Sequence, residues 1–217
     1  MYKDRIKNGG QFKTKKFITL ALSFLIIGAA VGCSNKDKNQ MQSQSGTTNE
    51  MNDQAYYNTY TGLYNENIGT LGAYDMYTDV NTATNAYKNK EYPGNEKYLS
   101  EVKEAYRDSG DKIQTFVNGL KKDMNTGDTE LKQMNKDLVS QGEKLIKDID
   151  AKLVKLDEIT EADYNKTQDE FIKLVHDTVQ VGDNVSNDFT NMLRNIDMRL
   201  GIDRNTMENN NTHNTTK

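Results

Sequence analysis

YNKTQDEFIKLVHDTVQVGDNVSNDFTNMLRNI, residues 164–196, decides the fold. Tyr164, Gln168, Phe171, Val175, Thr178, Gly182, Val185, Phe189, Met192 and Ile196 recur at alternating spacings of four and three. That spacing places them in one stripe along a helix, the pattern of a bundle or coiled-coil seam. The start is marked by Thr160 as cap, Asp163 as a capping-box partner and Ile159 as a staple onto Tyr164. Gly201 marks the expected end.

Two further segments carry the same periodicity. Leu131, Met134, Leu138, Leu145, Ile149, Leu153 and Leu156 form a stripe that Asp128 can cap. Leu99, Val102, Tyr106, Ile113, Phe116 and Leu120 form another, opened by Pro93-Gly94-Asn95. Its path through Ser109 and Gly110 predicts a bend. The first segment, about residues 53–88, is Tyr-rich among Asn, Thr and Gly. Tyr57, Tyr60, Tyr64, Ile68, Leu71 and Tyr74 still define a helical face there. Each Gly costs ~1 kcal/mol against Ala in a helix, so a break near Gly69 to Gly72 is expected. No strand-like alternation appears. Short connections near 89–95, 125–128 and 157–160 predict antiparallel neighbours. The expected fold is all-α: about four helices in an antiparallel, coiled-coil-like bundle ~45 Å long, residues 51–204. Flanking it, residues 33–50 and 205–217 are too polar to pack and are expected to be a disordered tether and tail.

The N-terminus is of another kind. Lys3, Arg5, Lys7, Lys13, Lys15 and Lys16 stand against one acid, Asp4, and precede FITLALSFLIIGAAV at residues 17–31. A basic region, a short apolar run and small residues make a secretory signal, residues 1–32. Fifteen apolar-run residues are few beside the ~20 of a spanning helix. Cys33 is the only cysteine, so no intramolecular disulfide can form. The run Ala30-Val31-Gly32-Cys33 resembles the lipobox of bacterial lipoproteins, with Ala30 where that class usually has Leu. The resemblance implies cleavage between Gly32 and Cys33, a diacylglyceryl group on the thiol, and a cell-membrane location on the extracytoplasmic face. One acyl chain binds a bilayer only marginally, whereas two or more hold durably.

Charge and motifs narrow the function. With six cations and one anion in the signal, the total of −4 leaves −9 for the rest of the chain. An acidic chain without a basic stripe has no general attraction for nucleic acid, and none is expected as partner. The two histidines, His176 and His213, lack the Glu-x-x-His setting of a di-metal bundle. His176 is expected at a flank or on the surface, and no metal or cofactor is expected. Asp123, Asn125, Gly127 and Asp128 resemble a calcium loop only faintly, because the twelfth position is Met134. Ser100-x-x-Lys103 matches a Ser-Lys pair without its companion motifs, and no nucleophile elbow or phosphate loop is present. The acids read as solvated faces, such as Asp169 with Lys173.

What remains is the tyrosine segment. Tyrosine offers contact area with a polar tip. Tyr56, Tyr57, Tyr60 and Tyr64 are the candidate partner surface, with rim packing on the bundle as the plainer reading. The expected function is a non-catalytic interaction or accessory module of the envelope. Its partner is an envelope protein or a second copy of the chain. Alternatives are a solute-binding lipoprotein serving a transporter, or one that excludes phage or competitors.

Overall fold

The computed structural model describes residues 47–88, 90–122, 126–180 and 185–204. Six α-helices lie among them: α1 (Thr47–Glu66), α2 (Val80–Tyr87), α3 (Asn95–Lys122), α4 (Thr129–Leu156), α5 (Gln168–Val179) and α6 (Val185–Arg199). A 3₁₀ helix, Ile68–Tyr77, joins α1 to α2, and a shorter one, Glu161–Asn165, precedes α5. There is no strand among the described residues. The chain is all-α, as the periodicity predicts.

Contacts fix the direction of each helix. From α3 to α4, Leu120 meets Asn135, Gly110 faces Ile149, and Lys103 pairs with Asp157 at 2.8 Å. Residue numbers rise on one helix as they fall on the other, so the two are antiparallel. Arg199 of α6 pairs with Asp128 at the start of α4, while Phe189 lies beside Gly142. Tyr60 of α1 packs edge-on against Phe116 of α3 at 6.1 Å. The result is an up-down-up-down bundle of α1, α3, α4 and the α5–α6 pair, about 42 Å long from its 28-residue helices.

The two middle helices are the regular ones. In α3, Glu96 in the first turn and Lys121 and Lys122 in the last suit the helix dipole. The helix runs unbroken through Ser109 and Gly110. Gly110 faces α4, where a Cβ would meet Ile149 Cγ2 at 3.4 Å, an ordinary contact. The cap of α4 is as expected: Asp128 accepts from the Glu130 and Leu131 amides at 2.9 and 3.1 Å. Such a cap stabilises by ~1 kcal/mol. At mid-bundle, a Cβ on Gly142 would collide with Val117 Cγ2 and press on Phe189. Glycine there sets the closeness of α3, α4 and α6.

The outer helices correct the sequence reading. The 164–196 stripe is not one helix. Its capping box of Thr160 and Asp163 exists, but it opens the short 3₁₀ helix. A second box, Thr167 with Glu170, opens α5. The helix then ends at Val179 and resumes at Val185, and Gly182 lies outside the described residues. Phe171, Val175, Phe189 and Ile196 are nonetheless buried on one face, because α5 and α6 run the same way. The first segment also breaks, at Asn67 rather than at the glycines. The Asn67 side chain donates to the Leu63 carbonyl at 2.8 Å, sharing that acceptor with its own backbone amide at 3.2 Å. The same amide also reaches the Tyr64 carbonyl at 3.3 Å as the chain tightens into the 3₁₀ helix. The predicted tether boundary moves as well. Helix α1 begins at Thr47, inside the 33–50 stretch. A first turn of Thr47-Thr48-Asn49-Glu50 is polar by nature, so absence of apolar residues did not mark its limit.

Candidate functional site

The tyrosines of α1 point inward. Tyr56, Tyr60 and Tyr64 are 2%, 0% and 3% exposed. Spacing of four on a helix puts them on one face, and that face meets α3, α4 and α6. Tyr56 stacks on Tyr60 with ring centres 6.2 Å apart, and its hydroxyl donates to Asn135 Oδ1 at 2.8 Å. The Asn135 amide in turn donates to the Leu120 carbonyl at 3.4 Å. This part of the expected partner surface is therefore corrected: these three rings offer no face to a partner. Only Tyr57 of the four is half-buried. The physical reason is that the α1 face must fill the bundle centre, and tyrosine does so when its hydroxyl finds a buried acceptor.

Below Tyr60 lies the most polar part of the core. Its hydroxyl donates to Asp197 Oδ1 at 2.9 Å and to the Leu193 carbonyl at 3.3 Å. The Arg204 guanidinium donates through Nε and one Nη to both oxygens of Asp197. Arg204 also stacks over Tyr64, its Cζ 3.4 Å from the ring centre. Arg204 reaches back because Gly201 adopts φ +68° after α6 and the Ile202 amide returns to the Asp197 carbonyl at 2.8 Å. That is a glycine C-cap, with Ile202 buried beside it. Gly201 thus ends the helix as expected.

A second polar centre lies at the other end. Tyr98 Oη is 3.0 Å from His176 Nε2, and His176 is 1% exposed. The expected surface histidine is a core residue. It follows Ile172 by four and precedes Val179 by three, which places it on the buried face of α5. Around Tyr98 gather Tyr77, Tyr87 and Tyr92 at 6.1, 5.9 and 5.7 Å, and Phe171 edge-on at 6.5 Å. Tyr77 donates to Glu101 at 3.2 Å.

Burial decides the protonation states. It pushes the phenols of Tyr56 and Tyr98 well above their ordinary value; at Tyr60 burial acts first and the Asp197 charge adds to it. Burial also holds His176 down at about 4, against the pull of Asp79 and Asp177. Acid–base work at neutral pH favours a group titrating near 7, and these groups are fixed neutral there. They lock helices together. A pH dependence follows. The unfolded histidine binds a proton near 6.5 and the folded one near 4, so the unfolded state is favoured between them. Stability is full above pH 6.5 and falls as pH drops through 4, by roughly 3 kcal/mol. Urea titrations at pH 7 and pH 4 check this, and His176→Leu flattens the difference.

Other sequence candidates fall apart in space. Ser100 is exposed, and Lys103 pairs with Asp157. Asp128 is taken up by the α4 cap and Arg199, while Asp53 accepts from Thr126 and from the Gly127 amide. Lys173 pairs with Asp177 instead of Asp169. No cluster of three His, Cys, Asp or Glu suited to a metal exists among the described residues. Gly32, Cys33, Asp123, Asn125 and His213 lie outside them. No helix among the described residues is long and apolar enough to cross a membrane.

Sequence reasoning passed over Asn135 and Arg204. Asn135 sits four after Leu131 and three before Leu138, on the seam itself, where a polar residue signals a buried bond. Arg204 lies past the glycine cap, where periodicity gives no signal. The chain matches no family model, no curated protein and no solved structure at significance.

Proposed function

We propose that this chain is a lipoprotein anchored through acylated Cys33 to the extracytoplasmic face of the cell membrane. Its bundle serves there as a non-catalytic interaction or accessory module for an envelope partner or a second copy. The observation that carries the reading is the sole cysteine placed directly after a basic-apolar-small signal. The bundle is compatible with tethering. Asp53 near the start of α1 bonds Thr126 and Gly127, and Arg199 at the end of α6 bonds Asp128. Entry and exit of the chain therefore share one end of the bundle. Thirteen residues separate Cys33 from Thr47. An anchor at that end leaves the opposite end, with its half-buried Tyr77, Tyr87 and Tyr92, farthest from the bilayer.

Intact mass of protein extracted from membranes tests the anchor. The expected mass starts at residue 33 and carries at least two acyl chains, and Cys33→Ala loses both processing and membrane retention. A chain retaining Met1, or an unmodified Cys33, overturns it. Cross-linking on intact cells then identifies the partner.

A further inference from the structure

We propose that residues 68–87, the long 3₁₀ helix with α2, form a strap that opens from the bundle as one cooperative unit while α3 and α4 stay folded. Ten consecutive 3₁₀ residues, Ile68–Tyr77, are far beyond the usual three or four, and such stretches mark hinges or strain. The strap is poorly held by apolar packing. Its two helices fully bury only Ile68, Leu71 and Ala83, whereas α3 alone buries Tyr98, Leu99, Val102, Ile113, Phe116 and Leu120 among others. Half-buried rings, among them Tyr77 and Tyr87 against Tyr98, and their polar tips do the rest. Tyr74 donates to Asp108, with Lys112 above its ring at 5.1 Å, and Tyr77 donates to Glu101. Such part-exposed bonds contribute about 1 kcal/mol each, far less than a packed ring.

The hinges are visible. At Asn67, between α1 and the 3₁₀ helix, φ −117° and ψ −71° lie off the usual helical values, and backbone amide and side chain crowd onto the Leu63 carbonyl. At the other side Gly94 sits at φ +94° beside Pro93. Beneath the strap, α3 presents small residues. Ala105 and Ser109 border a space of about 20 Å³ with Tyr74, Tyr77, Tyr106 and Ile149. That is room for one water, so the strap and α3 meet imperfectly. Opening uncovers this face of α3 and leaves the α3–α4–α6 contacts untouched. Segments with few buried apolar groups open below the global unfolding free energy.

Native-state hydrogen exchange on the full chain, across low urea concentrations, tests the strap. Amides on the strap, Ala83 among them, are expected to exchange at least 100-fold faster than those of Ile113 and Leu145. They are also expected to share one urea dependence, smaller than the global one but not zero. Tyr74→Phe with Tyr77→Phe should speed strap exchange about tenfold and leave α4 unchanged. Exchange of strap and α4 amides with one common rate and urea slope overturns the proposal. So does strap exchange without urea dependence, which is local fraying.

Discussion

Arg204→Met is expected to destabilise the bundle by about 3–5 kcal/mol, read from urea unfolding followed by circular dichroism. The size comes from what is left behind, not from the charge removed. Asp197 is buried, and Arg204 satisfies both of its oxygens. Without the guanidinium, one carboxylate stays in the core, and among the described residues the Tyr60 hydroxyl is the side-chain donor left to it. Removing both partners should cost much less. In Asp197→Leu with Arg204→Met, no buried charge remains, and the Tyr60 hydroxyl keeps the Leu193 carbonyl at 3.3 Å. The double variant is expected to recover at least half of the loss, because a buried pair replaced by apolar groups is often close to neutral. A loss under 1 kcal/mol for the single variant would mean that the pair behaves as a surface ion pair. The pair also explains why the fold reaches past the Gly201 cap: the residues after α6 close the end of the core at Tyr60 and Tyr64.

How much of this was legible follows from what periodicity measures. Apolar spacing reports burial, so α3 and α4 read correctly to within a few residues, and Asp128 read correctly as a cap because its side chain acts locally. The same spacing could not tell one helix from two successive ones that run the same way. Phe171 and Ile196 face the same core whether or not the backbone is continuous between them. The change from α to 3₁₀ at Asn67 comes with a local sharing of the Leu63 carbonyl between backbone and side chain, which apolar spacing does not report. Tyrosine and histidine were misplaced for one reason. Their burial requires a partner from a distant helix, as with Tyr56 and Asn135 or Tyr98 and His176, and single-segment reading contains no such pairing. The proposed anchor rests on the opposite kind of signal. Its evidence is wholly local, a cysteine after a signal, and needs no folded structure.

Replacing Tyr56, Tyr60 and Tyr64 together by Ser is expected to leave no cooperative unfolding transition at 25 °C. Each ring fills the bundle centre. Truncating a buried aromatic costs roughly 3–5 kcal/mol, and a domain of this size is stable by only about 5–15 kcal/mol. Tyr60 weighs most, since its loss removes packing on Phe116 and strips Asp197 of a donor. Tyr57→Ser alone is expected to shift stability by under 1 kcal/mol, because its ring is half-buried at the edge of α1. The contrast separates two meanings of a tyrosine-rich helix. If the triple variant unfolds and Tyr57→Ser does not, the α1 tyrosines are mortar between helices, and recognition must use half-buried rings such as Tyr57, Tyr87 and Tyr92. A triple variant that melts normally but loses a cross-linked partner would return the role of partner surface to Tyr56, Tyr60 and Tyr64. It would require α1 to swing away from α3, so that Tyr60, now against Phe116, and its neighbours face solvent.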